Sequence, residues 1–151
     1  MAKKAPVYTP PGSTELMEKF VNYIMKEGKK TIARQIFGDC MEIVKTRGYT
    51  KPAETFEKAV RNVTPVLEVR AKRIGGSVYQ IPVEVQPRRQ VALAFRWVLS
   101  AAREKKGAPL ARKLANEIIE ACEGTGSAVK KKEDTFKMAQ ANKAFAHLAK
   151  Y

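Results

Sequence analysis

Histidine is nearly absent from this chain: its 151 residues include one, His147. Cysteine is scarce as well, and the two present, Cys40 and Cys122, are far apart with no CxxC pair. A zinc site in the usual ligand numbers cannot be assembled from so few nitrogen and sulfur donors. A disulfide framework has no basis either, and both cysteines fall at apolar positions of predicted helices, where they read as reduced core residues. No apolar run approaches the ~20 residues of a membrane span. The opening MAKKAPVYTPPG has two lysines but no apolar stretch after them, so no secretory signal is expected. Neither GxGxxG nor the GxxxxGK phosphate loop occurs, and the sequence sets no serine or cysteine beside His147. No catalytic constellation emerges. The chain is expected to be neither an enzyme nor a cofactor protein, and no membrane contact or homo-oligomer is expected.

Acidic residues are also in short supply. Lys plus Arg number 29 against 15 Asp plus Glu, a net charge of +14. Such an excess bears on partners rather than fold, and nucleic acid is the first candidate. With 44% hydrophobic residues the chain can build a real core, so it is not a disordered basic tail. The pattern predicts a flexible lead-in over 1–12, punctuated by Pro6, Pro10, Pro11 and Gly12, then a single domain over 13–151.

Within that domain the predicted fold is mainly α: six helices with one protruding two-stranded β-hairpin arm. Ser13 is placed to cap the first helix, with Leu16, Met17, Phe20, Val21, Ile24 and Met25 as its apolar stripe. Gly28 should stop it, leaving Lys29 and Lys30 at its negative end. A second helix, about Thr31 to Thr46, should turn Ile32, Ile36, Cys40 and Ile43 inward. Thr50 then Pro52 reads as cap and first turn of a third helix carrying Phe56, Ala59, Val60 and Val63. After Pro87 comes RRQVALAFRWVLSAAREKK, apolar over more than half its circumference, hence a central helix. Its narrow basic strip, Arg89, Arg96 and Arg103, recurs every seven residues and drifts only ~20° per step. A fifth helix, Leu110 to Glu123, should bury Leu114, Ala115, Ile118 and Cys122. The sixth is expected to run through to Leu148, packing Met138, Ala141, Phe145 and Leu148. Its opposite face would then carry Phe136, Gln140, Lys143, His147 and Lys150, a mixture suited to phosphate and base contact.

Pro65 to Arg89 breaks the helical pattern. Val66 to Ile74 and Ser77 to Gln86 are β-rich, and Gly75-Gly76 between them accepts the positive φ of a tight turn. The predicted arm spans about 66–86. Pro82 cannot donate on both sides of a ladder, which favours a two-stranded ribbon. Arg70 and Lys72 alternate against Arg73, so both faces carry cations, as expected of an arm reaching into a polyanion rather than packing on its own core. Two partners fit such an arm: a folded RNA, or a DNA major groove wide enough for a ribbon. Cations scattered over several helices favour the irregular RNA surface. A DNA reader would more typically concentrate its contacts in one recognition element.

Four blocks in order and spacing carry a resemblance: FVNYIMKEGKKTIA, VRAKRIGGSVYQIPVEVQPRR, ALAFRW and AVKKKEDTFKMAQANKAFAH. They resemble the bacterial-type family of small-subunit ribosomal protein seven, over about residues 14–148. The resemblance implies six helices with an extended hairpin, and a structural role in the cytoplasmic ribosome, bacterial or organellar. It implies binding to the 3′ major domain of small-subunit rRNA early in head assembly, beside neighbouring ribosomal proteins. It also implies a hairpin and last helix near the mRNA path and the tRNA exit site. Carried over residue by residue, the RNA-facing candidates are Arg70, Lys72, Arg73, Gly75, Gly76 and Tyr79 on the arm. Arg88, Arg89 and Arg96 follow at its base, and Lys130, Lys131, Lys132 and Lys143 on the last helix. Arg103, Phe136, Lys29 and Lys30 join them from the pattern reading. Many family members begin with a run of arginines, where this chain has Lys3 and Lys4 alone; some continue past the point where this sequence stops.

Overall fold

The computed structural model describes residues 9–150, so the candidates Lys3 and Lys4 lie outside the described residues. Six α-helices, a two-stranded antiparallel ribbon and a 3-10 helix follow in chain order. They are α1 (Glu15–Ile24), α2 (Lys30–Thr46), α3 (Pro52–Val63), β1 (Leu67–Ile74), β2 (Ser77–Glu84), α4 (Pro87–Glu104), α5 (Leu110–Cys122), α6 (Gly126–Ala141) and the 3-10 helix Lys143–Lys150. The mainly helical reading with one hairpin is what the structure has.

Four phenylalanines, one from each of α1 to α4, make the centre. Phe20 meets Phe37, Phe56 and Phe95 at ring-centroid distances of 5.5, 5.0 and 5.1 Å, and Phe37 meets Phe56 at 5.3 Å. Tilted and edge-on aromatic pairs add to the gain from burying their area. α4 lies against α1, α3, α5 and α6, as its nearly continuous apolar surface predicts, but α5 is equally enclosed by α2, α3, α4 and α6. The predicted inward residues of α5 (Leu114, Ala115, Ile118 and Cys122) are all buried.

Helix ends are tied down from neighbouring elements. The Asn62 amide of α3 donates to the Ala121 and Cys122 carbonyls at 2.8 and 3.1 Å, tying α3 to the last turn of α5, where the Ala121 carbonyl also takes the Gly124 N–H at 3.0 Å. The cap of α1 is Thr14, whose hydroxyl accepts from the Met17 N–H at 3.2 Å. Ser13, the expected cap, instead donates to Glu18. In α3 Pro52 holds the first turn as expected, but the cap position is Lys51 and not Thr50.

Three further expectations need correction. α1 ends at Ile24, and after a turn with positive φ at Glu27 and Gly28, Lys29 and Lys30 open α2 rather than close α1. α2 buries Ala33, Phe37, Cys40 and Val44, leaving Ile32 53% exposed and Ile36 and Ile43 half-buried. Two apolar stripes run side by side on this helix, and the one bearing Phe37 wins because its ring completes the aromatic centre.

The third correction concerns α6, which stops at Ala141. The Asn142 side chain donates to the Met138 carbonyl at 2.8 Å, competing with the helical ladder, and the chain tightens into the 3-10 helix. Met138 and Ala141 are therefore exposed, and α6 packs instead through Ala128, Val129 and Ala139. The supposed single face from Phe136 to Lys150 is split between two elements.

Candidate nucleic-acid interface

The register of the ribbon decides which cations face where. Lys72 pairs with Tyr79, Arg70 with Ile81 and Glu68 with Val83, so these six share one face; Arg73, opposite Val78, lies on the other. Gly75 and Gly76 at φ 58° and 86° form the two-residue turn that the glycine pair predicts. Arg73, Val78 and Gln80 are exposed on the outer face.

The inner face is covered, against the expectation of an arm with both sides free. The 3-10 helix folds back on β2, and the rings of Phe145 and Tyr79 stand 5.3 Å apart. Lys72 donates to the Leu148 carbonyl at 3.4 Å, and Ile81 is buried. Turning the chain at Asn142 is what makes this possible, because it delivers Phe145 to the ribbon rather than past it. Tyr79, one of the RNA-facing candidates of the arm, is thus half-buried against a protein ring.

At the base of the ribbon Glu68 is nearly buried. Both its carboxylate oxygens accept from Nε of Arg89 at 3.0 Å, and Nε of Arg70 lies 3.4 Å from one of them. Arg89 therefore locks β1 to the first turn of α4 while its side chain stays partly exposed. Arg103 is likewise engaged, donating to the Ile24 carbonyl at 3.3 Å, where it closes the C-terminal end of α1. The heptad strip is real as a spacing, yet of its three members Arg96 alone is exposed without a partner among the described residues.

Other candidates stay turned to solvent. Arg73, Arg88, Lys30, Lys130, Lys131 and Lys143 are exposed and have no ion pair or hydrogen bond with the described residues. Lys132 is half-buried and equally unpaired, and Phe136 is 46% exposed. Lys29 lies 3.7 Å from Glu27. His147 is exposed, its Nδ1 3.1 Å from the Ala144 carbonyl. Among the described residues no group of three or more His, Cys, Asp or Glu could hold a metal ion, and no helix is long and apolar enough to cross a membrane.

Sequence reading missed the acidic residues that hold these cations in place. Glu117 is fully buried in α5; it accepts the Ala128 N–H at 2.9 Å and pairs with Lys105 at 3.0 Å. This carboxylate fixes the start of α6, and with it Lys130, Lys131 and Lys132. Burial by itself would lower the Lys105 pKa, but the hydrogen bond and charge of Glu117, aided by Glu120, outweigh it and leave the ammonium raised. A signal existed: Glu117 stands between Leu114 and Ala121 on the same buried stripe. Glu18, also buried, joins α1 to α2 through Arg34 at 2.9 Å.

The fold and this charge distribution define a class: a basic helical domain with a β-ribbon whose outer face and flanking helices present unpaired cations to solvent. The chain belongs to the ribosomal protein S7p/S5e family, whose model matches residues 1–143. It is 53% identical over 132 residues to the small ribosomal subunit protein uS7 of Thermotoga maritima, covering 87% of this chain and 85% of that protein. The protein of that name from Natranaerobius thermophilus is 49% identical over 142 residues, covering 94% of this chain and 88% of the relative. Its counterpart in Pseudothermotoga lettingae is 52% identical over 143 residues, covering 95% and 90%.

Proposed function

We propose that this protein is a structural constituent of the small ribosomal subunit that binds the 3′ major domain of its rRNA. Its role is placement rather than catalysis: it holds that domain during head assembly, among neighbouring ribosomal proteins. Its arm and C-terminal segment then lie near the mRNA path and the tRNA exit site. The observation that carries the reading is the set of solvent-facing, unpaired cations around the ribbon (Arg73, Arg88 and Arg96), in a chain of a ribosomal protein family. Cations of this kind release counterions from phosphates, so affinity falls steeply with salt. Backbone contacts carry no sequence information, and selectivity has to come from the shape of a folded junction and from bases out of the stack.

The test is a salt titration of binding to a 3′-domain rRNA fragment, beside a scrambled RNA of equal length and a DNA duplex. Much tighter binding to the ribosomal fragment at physiological salt is the expected result. Equal binding to all three, lost in parallel as salt rises, would reduce the chain to a generic polycation.

A further inference from the structure

Between the foot of the ribbon and α6 lies a groove of about 390 Å³, small on the ~300–1,000 Å³ scale of ligand sites. One wall is the bend leading into β1 and its first residue, with Val66 61% exposed and Leu67 half-buried. The facing wall is one turn of α6, with Phe136 46% exposed between Lys132, Glu133 and Lys137. Phe136 takes no part in the aromatic centre and touches no other described ring. Neither lysine has an anionic partner among the described residues. Single exposed apolar side chains are ordinary on a protein surface. A valine and a phenylalanine bordering one groove, with two unpaired cations at its rim, are a different arrangement.

We propose that this groove is the seat of one unstacked nucleotide of the bound RNA. The base lies on the Phe136 ring against Val66 and Leu67, and its phosphates meet Lys132 and Lys137. Charge selects this occupant. An apolar peptide would fill the groove but leave both ammonium groups to be desolvated without compensation, whereas a nucleotide supplies a π-face and an anion together. Glu133 is the one anion on the lining; it repels phosphate from its own side and leaves the two lysines as the phosphate side. The site rests on the RNA-binding reading above and adds a base contact that phosphate-neutralising arginines cannot make.

The experiment compares the full chain with Phe136→Leu, Phe136→Trp and the double variant Lys132→Ala/Lys137→Ala. Each binds the 3′-domain rRNA fragment over a range of salt, with circular dichroism as the check on folding. Because Phe136 is half out in solvent, all variants should melt with the wild type. Base–aromatic stacking sets the expected loss for Phe136→Leu at roughly tenfold, with the salt slope unchanged. Phe136→Trp should retain affinity, and the double lysine variant should flatten the slope by about one to two units. Wild-type affinity in Phe136→Leu overturns the nucleotide site while leaving RNA binding intact. If that variant binds RNA normally yet fails to enter reconstituted subunits, the groove belongs to a protein neighbour, and the proposal falls in that way too. Failure of the wild-type chain to prefer the ribosomal fragment overturns both readings at once.

Discussion

Cys40 is sealed in the core, and burial pushes its thiol from 9.0 up to about 12. The folded state keeps its proton while the unfolded chain gives it up, so above pH 9 the unfolded state binds fewer protons and stability falls as pH rises. The contribution is fully present below pH 9 and lost as pH climbs through the folded value. Iodoacetamide at pH 8 should leave Cys40 unmodified in native protein and alkylate it readily in denaturant, as mass spectrometry would read. Glu117 is a buried group of another kind, one oxygen taking the Ala128 N–H at 2.9 Å and the other lying 3.0 Å from the Lys105 ammonium. Glu117→Ala should cost about 3 kcal/mol by denaturant melting, since the buried Ala128 N–H loses its acceptor and Lys105 is left with Glu120 at 3.3 Å alone. Gly126 is constrained by the same corner. Its φ is 90°, and an added Cβ would stand 2.8 Å from a Glu120 oxygen and 3.2 Å from one of Glu117. Gly126→Ala should therefore destabilise by about 1–3 kcal/mol. These acidic residues were the least legible part of the sequence. A glutamate on a helix reads as solvated until the neighbour that answers it is known, and Lys105 and Ala128 lie on other segments.

Among the elements, the ribbon separates two kinds of arginine that look alike in sequence. Arg73 has no partner among the described residues, so Arg73→Ala should weaken RNA binding and reduce the salt slope by about one unit with little change in melting. Arg89→Ala removes the cation that sits over nearly buried Glu68. It should lower stability, and a filter-binding assay alone would mistake that loss for a lost RNA contact. Phe145→Ala should raise hydrogen exchange at Tyr79 to Ile81 while leaving the α1 to α4 amides protected. Hairpin, turn and helix existence were legible because glycine pairs, prolines and 3.6-residue periodicity are local signals. The roll of α2 and the break in α6 were not. Two apolar stripes of α2 compete, and only the position of Phe20 and Phe56 decides between them. Likewise the helical pattern continues straight through Asn142, and the contact that rewards a turn there, Phe145 on Tyr79, comes from residues more than sixty positions away.

For the molecule as a whole, the ledger of charge matters more than any one cation. Of the 29 Lys and Arg side chains, Arg89, Arg103 and Lys105 are among those that hold internal partners. The candidates with no partner among the described residues are Arg73 on the outer face of the ribbon, Arg88 and Arg96 of α4, Lys30, the lysines of α6 and Lys143. The fold-back of the C-terminal segment also orders events in time. The hydrogen bond from Lys72 to Leu148 spans 76 residues. At a synthesis rate of roughly 5–20 residues per second, the ribbon is made about 4–15 s before the segment that covers its inner face. For those seconds each new copy carries the inner face of its arm without that cover, Tyr79 lacking the Phe145 ring and Lys72 its carbonyl.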